Sequence, residues 1–271
     1  MKKFVGPGLG LVLSVSLLAG CSSSKDAKAP AQCVPASQMD GIIGGVKVTA
    51  ADALAKKVVL LLIKSGKDSS ICTGTPVSRD VILTAAHCVK NADKVMAIFH
   101  TDITCESGFN KEKQSVIASD FLYHKDYSGR SNAENDVALV KLPTSIPSDY
   151  HVSKIYDGKS ALSSDTVTLA GYGITAESGE GSMFLRTTQK SFKKDLYTTS
   201  TNVVMSQPDN GICSGDSGGP VFVEVRGELQ ILGVNSIVNG RTEATVCHGR
   251  GVSMYAPYYQ DWVQRQIPNL R

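Results

Sequence analysis

The 271-residue sequence has no hydrophobic run long enough to cross a membrane comfortably and no strong excess of either charge. Its N-terminal apolar stretch, residues 9–18, is shorter than the roughly 20 residues that a membrane-spanning helix needs. The formal net charge is +3, and no basic stripe interleaved with aromatic residues suggests a nucleic-acid partner. No internal repeat is visible. With 42% hydrophobic residues, the composition is typical of an ordinary globular chain.

The N-terminus has the pattern of an export signal. Lys2 and Lys3 precede the apolar stretch, and small residues lead from it to Cys21. The pattern resembles a bacterial lipoprotein signal peptide at residues 1–20, which implies that Cys21 is lipidated and that residues 21–41 form a tether and propeptide. A plain secretory signal with a chance cysteine, or a short anchor helix, is the alternative.

The residues after Cys21 are rich in Ser, Lys, Ala and Pro and offer little to bury, so they predict a flexible tether. Ser22 beside Cys21 resembles the pattern that directs lipoproteins to the outer membrane. We therefore expect the protein in the bacterial cell envelope, either attached to the outer membrane through lipid on Cys21 or released extracellularly. A cytoplasmic location is not expected.

Three short segments carry residues suited to nucleophilic hydrolysis. They are Thr84-Ala85-Ala86-His87-Cys88, Asn135-Asp136-Val137-Ala138-Leu139 and Gly215-Asp216-Ser217-Gly218-Gly219-Pro220. A serine hydroxyl becomes a good nucleophile only when an imidazole accepts its proton and a carboxylate orients that imidazole. Each segment alone also has a non-catalytic interpretation, such as a packed histidine or a glycine-rich loop that binds an anion. Together they predict a triad of His87, Asp136 and Ser217.

In this chain order, the three motifs resemble the trypsin/chymotrypsin-like serine peptidases. The resemblance runs from Ile42-Ile43-Gly44-Gly45 to the segment around Trp262. It implies that His87 is the general base and that Asp136 orients it while Ser217 attacks the peptide carbonyl. It further implies an oxyanion hole made by the N–H groups of Gly215 and Ser217, with neither a metal nor an organic cofactor.

Short β-rich runs separated by Gly and Ser turns predict an all-β fold. The resemblance implies two packed six-stranded antiparallel Greek-key barrels, at about 42–150 and 151–256, within a peptidase domain of residues 42–271. His87 and Asp136 are then expected in the first barrel and Ser217 in the second. The spacing of Tyr259, Trp262, Val263 and Ile267 predicts one C-terminal helix over about 257–268, with Trp262 in the core.

The sequence has seven cysteines, which indicates an oxidising compartment. Setting Cys21 aside for lipid leaves six, and six cysteines allow fifteen pairings. The resemblance implies two of the disulfides, Cys72 to Cys88 and Cys213 to Cys247.

Cys33 and Cys105 remain. A bridge between them would hold the tether to the catalytic domain even after the chain is cut. Two free thiols, or a bridge to a partner, are the alternatives.

Substrate preference follows from positions that the resemblance assigns to the specificity pocket. Trypsin-like enzymes carry an aspartate six residues before the nucleophile, and this chain has Gly211 there, followed by Ile212. Ser236-Ile237-Val238 replaces a usual Ser-Trp-Gly wall segment, and Gly251 matches the glycine that keeps the opposite wall open. We expect small or medium aliphatic side chains to bind, and not Lys or Arg.

Activation in this family requires a new N-terminal Ile whose ammonium pairs with the aspartate before the nucleophile. Those residues are Ile42 and Asp216 here, and Met39-Asp40-Gly41 precedes the junction without a Lys or Arg. We therefore expect cleavage after Gly41 by this enzyme or by a similar peptidase. The alternative is a chain that stays uncut and zymogen-like.

The predicted function is a monomeric serine endopeptidase that is made as a lipid-anchored zymogen and acts on protein or peptide substrates. Its partners would be those substrates, an activating peptidase and the membrane. A catalytically silent binding or adhesion protein, and an esterase or narrow processing enzyme, are the alternatives.

Overall fold

The computed structural model describes residues 42–104, 107–129, 134–174, 183–240 and 242–271. The described residues all belong to one compact unit. The predicted signal peptide, the tether, Cys21 and the Cys33–Cys105 pair lie outside them. Within the described ranges, no helix has the length and apolar character to cross a membrane.

The first sheet is antiparallel and lies largely in the N-terminal half of the chain. Its spatial order is β6-β5-β2-β3-β4-β8-β7. The strands are β2 Val59–Ser65, β3 Asp68–Pro76, β4 Val81–Thr84, β5 Lys94–Ile98, β6 Ser115–Ile117, β7 Asp120–Tyr123 and β8 Ala138–Lys141.

The second sheet is also antiparallel, and its spatial order is β1-β10-β9-β13-β14-β15-β12-β11. The longest strand, β14, changes register between Asn235 and Ile237, beside the predicted substrate wall. The strands are β1 Val46–Lys47, β9 Thr166–Gly171, β10 Arg186–Ser191, β11 Leu196–Thr198, β12 Asn202–Ser206, β13 Pro220–Val225, β14 Glu228–Asn239 and β15 Arg250–Tyr255.

The predicted all-β architecture of two packed antiparallel barrels with a C-terminal helix is confirmed, as two curled half-barrels. Two details differ from expectation. Within the described residues the sheets hold seven and eight strands instead of six each, because the two- and three-residue strands β1, β6 and β11 extend their edges. In addition, β1 lies in the second sheet, where Val46 pairs with Thr187. The first barrel therefore does not begin at residue 42.

Helical segments are few and short in the described part of the chain. They are α1 Ala86–Val89, α2 Lys111–Gln114 and α3 Ala256–Gln266, with 3₁₀ turns at Ala53–Lys56, Glu243–His248 and Ile267–Asn269. The predicted C-terminal helix is α3, with Pro257 in its first turn and Tyr259 and Val263 buried. Trp262, expected in the core, is only partly buried and contacts the ring of His124.

One hydrophobic cluster contains buried side chains from both sheets. Leu83 of β4 and Leu139 of β8 belong to it, as do Phe222 of β13 and Val234 of β14. The ends of these strands carry the three predicted catalytic segments. The packing of the sheets therefore brings those segments together.

Candidate active site

His87 lies in the single turn of α1, directly after β4. Its backbone N–H donates to Asp136 Oδ1 at 2.8 Å, and its Nδ1 lies 2.7 Å from Asp136 Oδ2. A third of the His87 side chain is exposed, whereas only 2% of the Asp136 side chain is. When Nδ1 carries the ring proton, it donates a hydrogen bond to Asp136. Nε2 is then unprotonated and can accept a proton, as a general base must.

Asp136 precedes β8 and is buried with three hydrogen bonds to its carboxylate. The third comes from Ser236 Oγ, which donates to Oδ2. Burial alone raises the pKa of Asp136, but the hydrogen bonds from His87 and Ser236 and the charge of His87 outweigh burial, so the pKa lies below its usual value. The structure therefore keeps Asp136 ionised beside the imidazole.

Ser217 lies in the turn that leads into β13. Gly218 in this turn has φ +80°, a conformation that favours glycine. A methyl group at Gly218 would lie 2.8 Å from the backbone N of Ala85, just before α1. The serine loop thus packs directly against the segment that carries His87, and Ser217 O lies 3.9 Å from Sγ of Cys88, the residue after His87.

Two backbone donors that flank Asp216 in the serine loop are open. Gly218 N donates to Asn235 O and Asp216 N to Cys213 O. Within the described residues, by contrast, the N–H groups of Gly215 and Ser217 have no hydrogen-bond acceptor. These are the two donors that the sequence predicted for an oxyanion hole.

Thr73 is a site residue that sequence reasoning missed. It lies fully buried on β3, and its backbone N donates to Ser217 O at 2.8 Å. Its hydroxyl donates to Gly215 O at 2.9 Å and accepts from Tyr172 N at 3.1 Å. Thr73 thereby fixes the Gly215–Asp216 and Ser217–Gly218 peptides. Its position directly after Cys72 was the only signal in the sequence.

Asp216 is completely buried behind the serine. Its Oδ1 accepts from Gly173 N and its Oδ2 from Cys213 N, both at 2.8 Å. Burial raises the pKa of Asp216 to about 7, although the two backbone hydrogen bonds oppose this effect. Ile42 is also completely buried. In the described residues no cationic side chain hydrogen-bonds to Asp216.

A cavity of about 220 Å³ opens beside Ser217. Ile212, Ser236, Ile237 and Val238 line it as predicted; the remaining lining residues are Cys213, Ser214, Ser217 and Asn235. Gly211 and Gly251, which were predicted to line it, are absent from its wall in the described part of the chain. The buried side chain of Gln207 lies against both glycines instead.

Two disulfides brace the site, with the pairing that the sequence predicted. Cys72 joins Cys88 with an S–S distance of 2.00 Å, and Cys213 joins Cys247 at 2.03 Å. Cys72, His87 and Cys88 place potential metal-ligand atoms within 4.8 Å of one another. Both sulfurs are in a disulfide, so they cannot act as the thiolates that metals bind.

Known proteins resemble this chain over most of its length. Residues 42–263 match the family model described as Trypsin. Serine protease SP24D of Anopheles gambiae is 28% identical over 208 residues, covering 72% of each chain. Coagulation factor IX of Oryctolagus cuniculus is 26% identical over 219 residues, covering 74% of this chain and 77% of its own length. The solved structure of HL collagenase, at 21% identity, shares the fold with a TM-score of 0.66 and a match covering 84% of this chain and 99% of that one. The chain belongs to the trypsin family of serine peptidases.

Proposed function

We propose that this protein is a serine endopeptidase that uses Ser217 as nucleophile, His87 as general base and Asp136 as the group that orients His87. The observation that carries the proposal is the buried, ionised Asp136 bonded to both the backbone and the ring of His87, next to a serine loop with two open N–H donors. Open N–H donors beside an oriented imidazole are the arrangement that stabilises the oxyanion of acyl transfer.

The chemistry follows from these positions. Ser217 Oγ attacks the peptide carbonyl while His87 Nε2 accepts its proton, and Asp136 stabilises the resulting imidazolium. The N–H groups of Gly215 and Ser217 bind the developing oxyanion. His87 then donates the proton to the leaving amine. Water hydrolyses the acyl-enzyme by the same steps, with His87 again as base.

The specificity we propose is for small or medium aliphatic side chains. The cavity beside Ser217 is lined by Ile212, Ile237 and Val238, and no lining residue in the described ranges is acidic. A Lys or Arg side chain would enter it without a counter-charge, at a large desolvation cost. Peptide profiling with a strong Lys or Arg preference would contradict this part of the proposal.

We propose that the chain is made as a zymogen and is cut between Gly41 and Ile42. Buried Asp216 has a raised pKa and no cationic hydrogen-bond partner in the described residues, which is the situation that a new Ile42 ammonium would relieve. The cut is made by this enzyme or by a peptidase with a similar preference. An Ile42→Gly variant is expected to lose most activity, and full activity in that variant would argue against the ion pair.

We further propose attachment to the bacterial envelope through lipid on Cys21, with the outer membrane or a released form as the destination. Two disulfides within the described domain favour folding in an oxidising compartment. A Cys33–Cys105 bridge would keep the active domain on its tether after cleavage. Peptide maps with and without reductant test this bridge, and a Cys33 that alkylates freely in the folded protein would exclude it.

Substrate comparison tests the reaction class. The active protein and Ser217→Ala are assayed on an alkyl ester, a short peptide amide and a folded protein. An endopeptidase cleaves all three in a Ser217-dependent way. Cleavage of the ester alone would indicate an esterase, and no Ser217-dependent cleavage by correctly cut protein would indicate a binding module.

A further inference from the structure

A buried glutamine that follows β12 lies behind Ile212, one of the residues that line the cavity beside Ser217. Gln207 is completely buried. Its Nε2 donates to Ile212 O at 2.9 Å and to Cys247 O at 2.7 Å, and its Oε1 accepts from Ile212 N at 3.3 Å. Both amide donors and one acceptor are therefore used, and the carboxamide is held in one orientation.

The carboxamide occupies the space that two glycines leave free. A methyl group at Gly251 would lie 2.5 Å from Gln207 Oε1, and one at Gly211 would lie 2.6 Å from Gln207 Cβ. Gly251 and Gly211 are therefore required here because Gln207 is packed between them. Without Gln207, the same glycines would leave an open volume behind Ile212.

Ile212 lies between Gln207 and the cavity in which we expect the substrate side chain to bind. It lines the cavity beside Ser217, and both its N–H and its carbonyl bond to Gln207. Ile212 and Val238 line the cavity, whereas Gly211 and Gly251 are absent from its wall in the described part of the chain. We infer that Gln207 is a specificity-determining residue: its carboxamide fills the deep part of the pocket, holds Ile212 as the pocket floor and restricts the enzyme to short aliphatic side chains. This inference rests on the proposed function of the site.

The test compares two variants that lose the same hydrogen bonds but differ in volume. Gln207→Ala empties the space behind Ile212, whereas Gln207→Met fills it with a side chain of similar length. The readout is the ratio of kcat/KM for peptide substrates with Leu or Phe before the scissile bond to those with Ala or Val. Because this ratio is taken within one variant, the fraction of correctly folded enzyme cancels.

Gln207→Ala is expected to raise the ratio by roughly tenfold or more, the scale on which apolar pockets discriminate by size. Gln207→Met is expected to stay near the wild-type ratio. Equal shifts in both variants, or no shift in either, would overturn the inference. If Gln207→Ala does not fold, Gln207→Asn replaces it, since it keeps the carboxamide and shortens the side chain by one methylene; an unchanged ratio there would likewise overturn the inference.

Titration with a serine-directed phosphonate separates this inference from the proposed function. If wild type is labelled at Ser217 but the ratio is unchanged in Gln207→Ala, or in Gln207→Asn where that variant replaces it, only the role of Gln207 is refuted. If wild type is cut before Ile42 but takes no label, both the proposed function and the role of Gln207 are refuted.

Discussion

At the scale of single residues, the site depends on buried polar groups whose partners are supplied by distant parts of the chain. Asp136 is the clearest case, because a buried carboxylate is costly unless hydrogen bonds compensate it. Two bonds come from His87 and a third from Ser236. The result is an ionised group fixed beside the imidazole before any substrate binds.

Thr73 and Thr75 offer a matched pair of substitutions on β3. Both are buried, but the Thr73 hydroxyl bonds to Gly215 O and Tyr172 N, whereas the Thr75 hydroxyl lacks a hydrogen-bond partner among the described residues. Thr73→Val should lower kcat and cost about 1–3 kcal/mol of stability, because it leaves buried backbone groups unpaired. Thr75→Val should be neutral or stabilising. Equal effects of the two variants on kcat would show that Thr73 does not position the serine loop.

Because the pKa of Asp216 is raised, we predict that the free energy of unfolding of the uncut chain depends on pH. Its pKa is 3.8 in a model peptide and about 7 in the folded protein, so the folded state holds this proton more tightly than the unfolded state. The free energy of unfolding should therefore fall as the pH rises from about 4 to about 7, by on the order of 4 kcal/mol from this group. The measurement is urea denaturation at pH 5 and pH 8 in an uncut Ser217→Ala background.

Asp216→Asn in the same background is the control for that experiment, because it removes the titrating group while keeping the shape. Its stability should change much less between the two pH values. The same pH dependence in both proteins would contradict the assignment to Asp216. In the cut protein, an Ile42 ammonium would stabilise the ionised carboxylate, and the loss at pH 8 should shrink.

At the scale of elements, the turn before β13 must fit closely against the segment between β4 and α1. Gly218→Ala should greatly reduce kcat, because its methyl group would displace the serine loop from Ala85 and thus from His87. Gly227 is the matched control: its φ is also +80°, but nothing lies within 4 Å of a methyl group placed there. Gly227→Ala carries the same backbone strain, about 1 kcal/mol or slightly more, and should keep full kcat. Full activity in Gly218→Ala would refute the close fit.

The elements also show what sequence can and cannot predict. His87, Asp136 and Ser217 stand in local motifs, whereas the two disulfide pairs were implied by the family resemblance that those motifs carry. The pairing of β1 with β10 was missed because two residues contain no periodicity and their partners lie about 140 positions away. Gln207 was missed for a similar reason. Its role depends on glycines and carbonyls from three other segments, none of which marks it in the sequence.

At the scale of the whole molecule, the N-terminal part of the described domain is attached to the second sheet. Residues Val46–Lys47 pair with β10, and Ile43 bridges to Gly211 in the loop behind the substrate cavity. Ile42 is buried in the same cluster as Ile212. A cut after Gly41 would therefore act on a segment that packs beside the loop carrying Ile212, which lines the cavity next to Ser217.

The central claim is that Ser217 becomes an activated nucleophile in a chain that begins at Ile42. The most direct test is an intact-mass spectrum of the exported protein, taken after reaction with a serine-directed phosphonate and then reduction, with Ser217→Ala as control. We predict one phosphonate on a chain beginning at Ile42 and no label on the control. A chain that begins at Ile42 but takes no label, or a control labelled as fully as wild type, would contradict the claim.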